Sequence, residues 1–136
     1  MGSKIIADSS ALVSLGFTDD SNHHKATNSI ADVNKAAANL IIPQEVFAET
    51  INVLGKKIGH REAVIFAQRI LKLTTFQIVS TPQVVVEEAL LKLSSLPASV
   101  SFTDCVVMAT ADEYETKLIF GFDECFRKSG YSMPGA

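Results

Sequence analysis

Apolar positions follow two alternating rhythms along the chain. Lys4-Ile5-Ile6-Ala7 is a short apolar run ending in polar Asp8-Ser9-Ser10, which predicts a buried strand and a turn that caps a helix starting near Ala11. From Asp19 to Ala38 the positions of His24, Thr27, Ile30, Ala31 and Val33 are weakly amphipathic and predict a second helix. Leu40-Ile41-Ile42 is again a buried strand, stopped by Pro43, whose fixed φ suits the first turn of the next helix. Phe47, Ile51, Leu54 and Ile58 follow at i, i+4, i+7 and i+11 and so share one face of it. Gly55 and Gly59 mark its end.

The same alternation continues. Ala63, Phe66, Ala67 and Ile70 predict a helix, and Phe76-Gln77-Ile78-Val79 a strand bounded by Ser80, Thr81 and Pro82. Val86, Leu90 and Leu93 predict another helix, which must end before Pro97. Thr103 to Glu115 reads as helix, Lys117 to Gly121 as strand, and the tail through Tyr131 and Met133 as a short edge strand. Strands alternating with helices imply an α/β fold with a mostly parallel sheet.

Composition narrows the class. At 136 residues, 47% apolar and 20% charged, the chain reads as one domain over 1–136 with a real core, not as a disordered or fibrous protein. Its apolar runs are far below the roughly 18–20 residues that cross a bilayer. The opening residues lack the pattern of a signal peptide, and Ile6 stands where a myristoylation motif needs Ser or Thr. A cytoplasmic protein without membrane attachment is therefore expected, with Cys105 and Cys125 as free thiols.

In an open parallel sheet, ligands bind beyond the carboxyl ends of the strands, and acids cluster in such places here. Asp8 follows the first strand, Asp123 follows Leu118-Ile119-Phe120 after one turn, Asp104 opens a helix, and Glu49 lies in the helix after the second strand. Brought together, they would make an all-oxygen site for Mg2+ or Mn2+. Each also has a plainer explanation. Asp8 is a good helix cap; Ser101 and Asp104 fit a capping box; Gly121-Phe122-Asp123-Glu124 is ordinary turn composition; Glu49 lies opposite the Phe47 stripe and can face solvent. Asp104 departs from this account, because on a helical wheel it falls among Val107, Met108 and Ala111, where an unpaired carboxylate is costly.

Other chemistry is poorly supported. His23 and His24 are adjacent, point about 100° apart on a helix and read as solvated side chains. GxSxG, GxxxxGK[ST] and GxGxxG do not occur. Cys105 lacks an obvious histidine partner, since His60 is the only one outside the amino-terminal pair. The formal charge of −3 argues against a generic basic nucleic-acid binder. Yet Lys56, Lys57, Arg61, Arg69 and Lys72 form a basic stretch interrupted by Glu62 alone, and two bound divalent cations would bring the formal charge to +1.

Taken in order, these segments resemble the PIN domain family, and more narrowly its small VapC-type toxins. Ile5-Ile6-Ala7-Asp8-Ser9-Ser10-Ala11-Leu12 resembles the opening strand with the first metal-binding acid, and Ser10 stands where a small hydroxyl residue supports the site. Pro43 to Leu54 is similar to the segment of the second acid, placing that role on Glu49 and not on Glu45. Ser101 to Ala111 resembles the third motif, with Asp104, and Ile119 to Phe126 the last, with Asp123. Gly121 departs from the pattern, which commonly has Thr or Ser there, and so puts the second metal position in question.

The resemblance implies a three-layer sandwich in which helices flank a central, mostly parallel sheet. It implies a Mg2+- or Mn2+-dependent endoribonuclease that leaves 5′-phosphate and 3′-hydroxyl ends, with Asp8, Glu49, Asp104 and Asp123 as catalytic metal ligands. It further implies an RNA substrate, a small antitoxin protein as partner and a homodimer. The basic stretch, with Arg127 or Lys128, is then the expected RNA surface. Two readings compete: a receiver-like phospho-acceptor module, disfavoured because Lys117 precedes its strand, and a PIN-like domain without activity that acts as a binding or scaffold module.

Overall fold

A computed structural model describes residues 3–135. In chain order its elements are β1 (Lys4–Ala7), α1 (Ser9–Gly16), α2 (His23–Lys35), β2 (Asn39–Pro43), α3 (Gln44–Ile58), α4 (His60–Lys72), β3 (Phe76–Val79), α5 (Gln83–Ser95), α6 (Phe102–Glu113), β4 (Ile119–Phe120) and α7 (Glu124–Lys128). The strands pair in the order β3-β2-β1-β4, all parallel. β1 is central: Ile6 lies opposite Ile41 on one side and Ile119 on the other. Ile5, Ile6 and Ala7 are all buried, which is why the strand reads as an unbroken apolar run rather than an alternation.

That strand order dictates the layers. The chain steps from β1 to β2 to β3 in one direction, then returns past β1 to place β4 on its far side. Right-handed crossovers put the helices of the first two connections on one face and those of the last on the other. Packing follows this rule: α1 contacts α2 and α3, and α3 contacts α4, while α5 packs on α6, which lies against β1, β2 and β4. The result is the expected three-layer α/β sandwich. The reversal falls between β1 and β4, and their carboxyl ends border the crevice where such sheets bind ligands.

Several boundaries differ from those the sequence predicts. α2 begins at His23 rather than Asp19, because Asp20 accepts from the Asn22 N–H at 2.8 Å and from the Ser14 hydroxyl at 2.9 Å, holding a turn ahead of the helix. It ends at Lys35, where Ala37 takes φ 52°, the Ala38 N–H reaches the Val33 carbonyl and the Ala37 N–H reaches that of Asn34. This is a Schellman stop without glycine. β4 is only two residues long, and the expected edge strand in the tail is a single parallel bridge between Ser132 and Leu118.

Two helix faces are also rotated from expectation. In α3 the fully buried line is Val46, Thr50 and Leu54; Phe47, Ile51 and Ile58 are only half-buried. The helix packs on β2 and β3 as well as on α1 and α4, so its buried sector is wider than one stripe. Thr50 is tolerated there because its hydroxyl donates to the Val46 carbonyl. In α5 the buried residues are Val85 and Ala89, whereas Leu90 is 53% exposed. Small Ala89 fits the close α5–α6 contact that Leu90 would crowd. Among the described residues, no helix is long and apolar enough to cross a membrane.

Candidate metal centre

Asp8 is the first residue beyond β1, at the topological reversal, and is buried. It caps α1, its Oδ2 accepting from the Ser10 N–H at 3.2 Å and the Ser10 hydroxyl at 2.7 Å. The Ser10 hydroxyl oxygen in turn accepts from the Phe122 N–H at 3.0 Å, and the Asp8 N–H donates to the Phe120 carbonyl at 2.9 Å. Ser10 thus clamps the loop after β1 to the loop after β4. Asp123, exposed in that second loop, caps α7.

Glu49 arrives from α3. Its side chain is exposed and accepts a hydrogen bond from the Ser9 hydroxyl, which ties it to the start of α1. Asp104 arrives from the opposite layer, in the first turn of α6. It forms a capping box with Ser101: the Asp104 N–H donates to Ser101 Oγ at 3.0 Å, and Asp104 Oδ2 accepts from the Ser101 N–H at 2.9 Å. Asp8, Asp104 and Asp123 therefore do serve at helix starts, whereas Glu49 lies inside α3. Of the four expected acids, Asp104 and Asp123 come together in one close group, and Asp8 and Glu49 are not part of it.

The carboxylates also feel one another's charge. Burial pushes the Asp8 carboxyl up to about 6 against the pull of its Ser10 hydrogen bonds, and the neighbouring Asp104 charge adds to the rise. Asp104 is also raised, mainly by burial, with Asp123 and Glu49 pushing the same way. Each of the other three acids is thus coupled to Asp104 by charge. The one ion pair among the described residues, Lys92 with Asp112 at 2.7 Å, lies outside this group. Carboxylates that no ion pair among the described residues neutralises, two of them partly withdrawn from water, are a donor set that fits a hard divalent cation.

The sequence did not point to two residues at this site. Ser9 orients Glu49. Cys125, in the first turn of α7, brings its sulfur into a group with Asp104 and Asp123 whose ligand atoms all lie within 4.8 Å of one another. Its thiol is pushed up to about 12 by burial and by the charges of Asp104, Asp123 and Asp8. Both residues stand next to or two positions from a predicted acid, which was the only available signal.

Other expectations change. Arg127 turns inward and donates from Nη2 to the Gly121 carbonyl, so it braces the β4–α7 turn instead of presenting a free cation; Lys128 remains exposed. His23 is half-buried rather than solvated, with Nδ1 2.8 Å from the Ser14 carbonyl. Cys105 is buried in α6, and both cysteines are free.

The PIN domain model matches residues 5–130. The chain belongs to the PIN domain family. No curated protein matches the sequence. Among solved structures, VapC20 of Mycobacterium tuberculosis, described as a sarcin-ricin loop cleaving toxin, superposes with a TM-score of 0.83 at 24% identity, covering 94% of this chain and 96% of that one. The family match runs from the first strand through the last helix.

Gly121 acquires a reason within this PIN domain. A Cβ at that position would lie 2.8 Å from the Asp8 Cβ and 2.9 Å from the Phe126 ring, so the ends of β1 and β4 approach too closely for a side chain. Gly121→Ala is expected to destabilise the protein by about 1–3 kcal/mol through overpacking, measured by urea unfolding. Unchanged stability would mean that the two strand ends separate easily.

Proposed function

We propose that this PIN domain is a metal-dependent endoribonuclease of the VapC toxin type, acting on RNA in the cytoplasm. The observation that carries the reading is that Asp104 and Asp123 lie together by the β1–β4 reversal, with the charges of Asp8 and Glu49 coupled to Asp104 and, among the described residues, no ion pair to any of the four. Asp8, Glu49 and Asp104 would hold Mg2+ or Mn2+, with Asp123 beside them. When bound, the cation supplies a water of lowered pKa and stabilises charge on the leaving oxygen. Ser10 fixes the orientation of Asp8, Ser9 that of Glu49, and Ser101 that of Asp104, so the carboxylates are positioned before substrate arrives.

Charge placement supports an RNA path. Lys56 lies seven residues after Glu49, hence within about 20° of it around α3 and roughly 10 Å along the axis. It is exposed, and it lines a groove with Asn52 and His60. A phosphate entering the acid cluster can thus have a neighbour at Lys56. Lys56→Glu is expected to raise KM and lower kcat/KM about tenfold at low salt, and to flatten the salt dependence of RNA binding by about one phosphate contact. An unaltered salt slope would return Lys56 to a solvated helix face.

The sarcin-ricin loop is cut by the structurally similar VapC20, so an RNA hairpin of that sequence is the first substrate to offer. Cleavage in MnCl2 or MgCl2, abolished by EDTA and leaving 5′-phosphate ends, is the expected result. Products with 3′-phosphate ends would contradict this chemistry. Failure to cut a panel of structured RNAs while still binding them would favour the scaffold reading. A small antitoxin and a second copy of the chain complete the proposed assembly, and exposed Leu71, Leu73, Leu90 and Leu91 offer apolar surface for such contacts.

A further inference from the structure

A second concave site borders the loop that carries Asp123. Lys25, Asn28 and Asp32 follow at i, i+3 and i+7 and so share one face of α2. Together with Phe122 and Met133 they line a cavity of about 250 Å3, below the roughly 300–1,000 Å3 of drug-sized sites and suited to one planar ring system. Its wall is fixed: the buried Ser29 hydroxyl donates to the Pro134 carbonyl at 2.9 Å. Lys25 and Asp32 are exposed, and among the described residues no ion pair joins them. Seven residues of helix rise about 10 Å, so the cavity has a cation toward one end and a carboxylate toward the other, with the Asn28 amide between. Phe122 connects it to the acids. Its ring is half-buried, Asp123 is the next residue, and its N–H donates to Ser10 Oγ, the hydroxyl that holds Asp8.

We propose that this cavity is a nucleobase subsite for the RNA substrate, and that it selects an unpaired guanine stacked on Phe122 beside the cleaved bond. The inference rests on the reading of the acids as an RNA-cleaving centre and names the base read next to it. Consecutive Cα atoms lie about 3.8 Å apart, so a base on the Phe122 ring belongs to a nucleotide at or next to the bond that reaches Asp123. Stacking on an aromatic ring is open to every base. The polar groups make the choice. Guanine presents the acceptors O6 and N7 on one edge, which suit Lys25 and the Asn28 amide, and the donors N1–H and N2–H on another, which suit the Asp32 carboxylate. Adenine lacks the N1–H and uracil has N3–H alone, so neither offers a carboxylate two adjacent donors.

The test is fluorescence anisotropy of the full chain, in EDTA at low salt, with labelled pentauridylates whose central residue is guanosine, inosine or uridine. Inosine is guanosine without the N2 amino group. The parent should bind the guanosine oligomer at least about tenfold more tightly than the uridine one, with inosine between. Asp32→Asn, an isosteric change at an exposed residue, should make guanosine and inosine equal. Phe122→Ala should weaken the guanosine oligomer about tenfold, and Asp32→Asn keeps the question answerable if that variant folds poorly. Equal or absent binding of the three oligomers by the parent would overturn the subsite, as would a guanosine preference that Asp32→Asn leaves untouched. Guanosine monophosphate bound as tightly as the guanosine oligomer would overturn the RNA assignment in favour of a free nucleotide. Because binding is read without metal, the two readings fail separately. A guanosine preference in a chain that cuts no RNA in MnCl2 would remove the nuclease and leave the subsite; RNA cleavage without any preference would do the reverse.

Discussion

Asp104→Asn is expected to lower RNA cleavage by about a thousandfold while the protein stays folded. Metal-derived charge stabilisation is worth several kcal/mol, and about 4 kcal/mol corresponds to three powers of ten in rate. The fold survives because an asparagine oxygen still accepts from the Ser101 N–H, and the Asp104 N–H still donates to Ser101 Oγ, so both arms of the capping box remain. Thermal unfolding separates the roles. In MnCl2 at ten times its dissociation constant, the parent should gain about 1.4 kcal/mol and the variant nothing. Ser101→Ala gives the converse: it removes the cap, costing about 1 kcal/mol, but keeps all four acids and should retain most activity. Equal activity of Asp104→Asn and parent would leave Asp104 as a cap alone.

Much of this fold was legible because buried parallel strands leave a plain signature. Ile5-Ile6-Ala7, Leu40-Ile41-Ile42 and Phe76 to Val79 are apolar runs bounded by turn residues, and each is a strand where the pattern placed it. The helix stops after α2 and α6 were not legible, since both use a non-glycine residue at positive φ, Ala37 and Glu115. Tertiary context, rather than local preference, holds those turns. Helix faces were legible only to within one residue. A stripe such as Phe47, Ile51, Leu54 and Ile58 records where apolar residues are, whereas burial in α3 depends on two packing partners at once.

At the site, Asp104 was the most legible residue, because a first-turn acid on an apolar face contradicts its surroundings. Asp8 and Asp123 were legible as caps, and only the strand order, which sequence periodicity does not encode, brings them to one crevice. Their association with Glu49 and Asp104 as metal ligands comes from the family resemblance. Gly121 stood out as a departure, and its cause, the 2.8 Å approach of a would-be Cβ to the Asp8 Cβ, is a through-space fact between residues far apart in the chain. Cys125 was read as an ordinary thiol for the same reason.

Asp8→Asn is expected to stabilise the metal-free protein at neutral pH and to destabilise it, relative to the parent, once metal is present. Burial raises the folded-state pKa of Asp8 from 3.8 to about 6, so the native state binds more protons than the unfolded chain between those values. Stability from this group is full below about pH 4, falls as pH rises through 6 and is flat above. The whole change is about 3 kcal/mol, or roughly 10 °C for a domain of this size. A neutral asparagine avoids this loss, so the variant-minus-parent difference should be small at pH 4, pass its midpoint near pH 5 and reach its full value by about pH 7. Saturating MnCl2 should reverse the sign above pH 6, because only the parent then has a carboxylate at the cation, and protons should displace metal from it as pH falls. A difference that does not vary with pH would mean that Asp8 titrates like an exposed carboxylate and that its burial is not felt as charge.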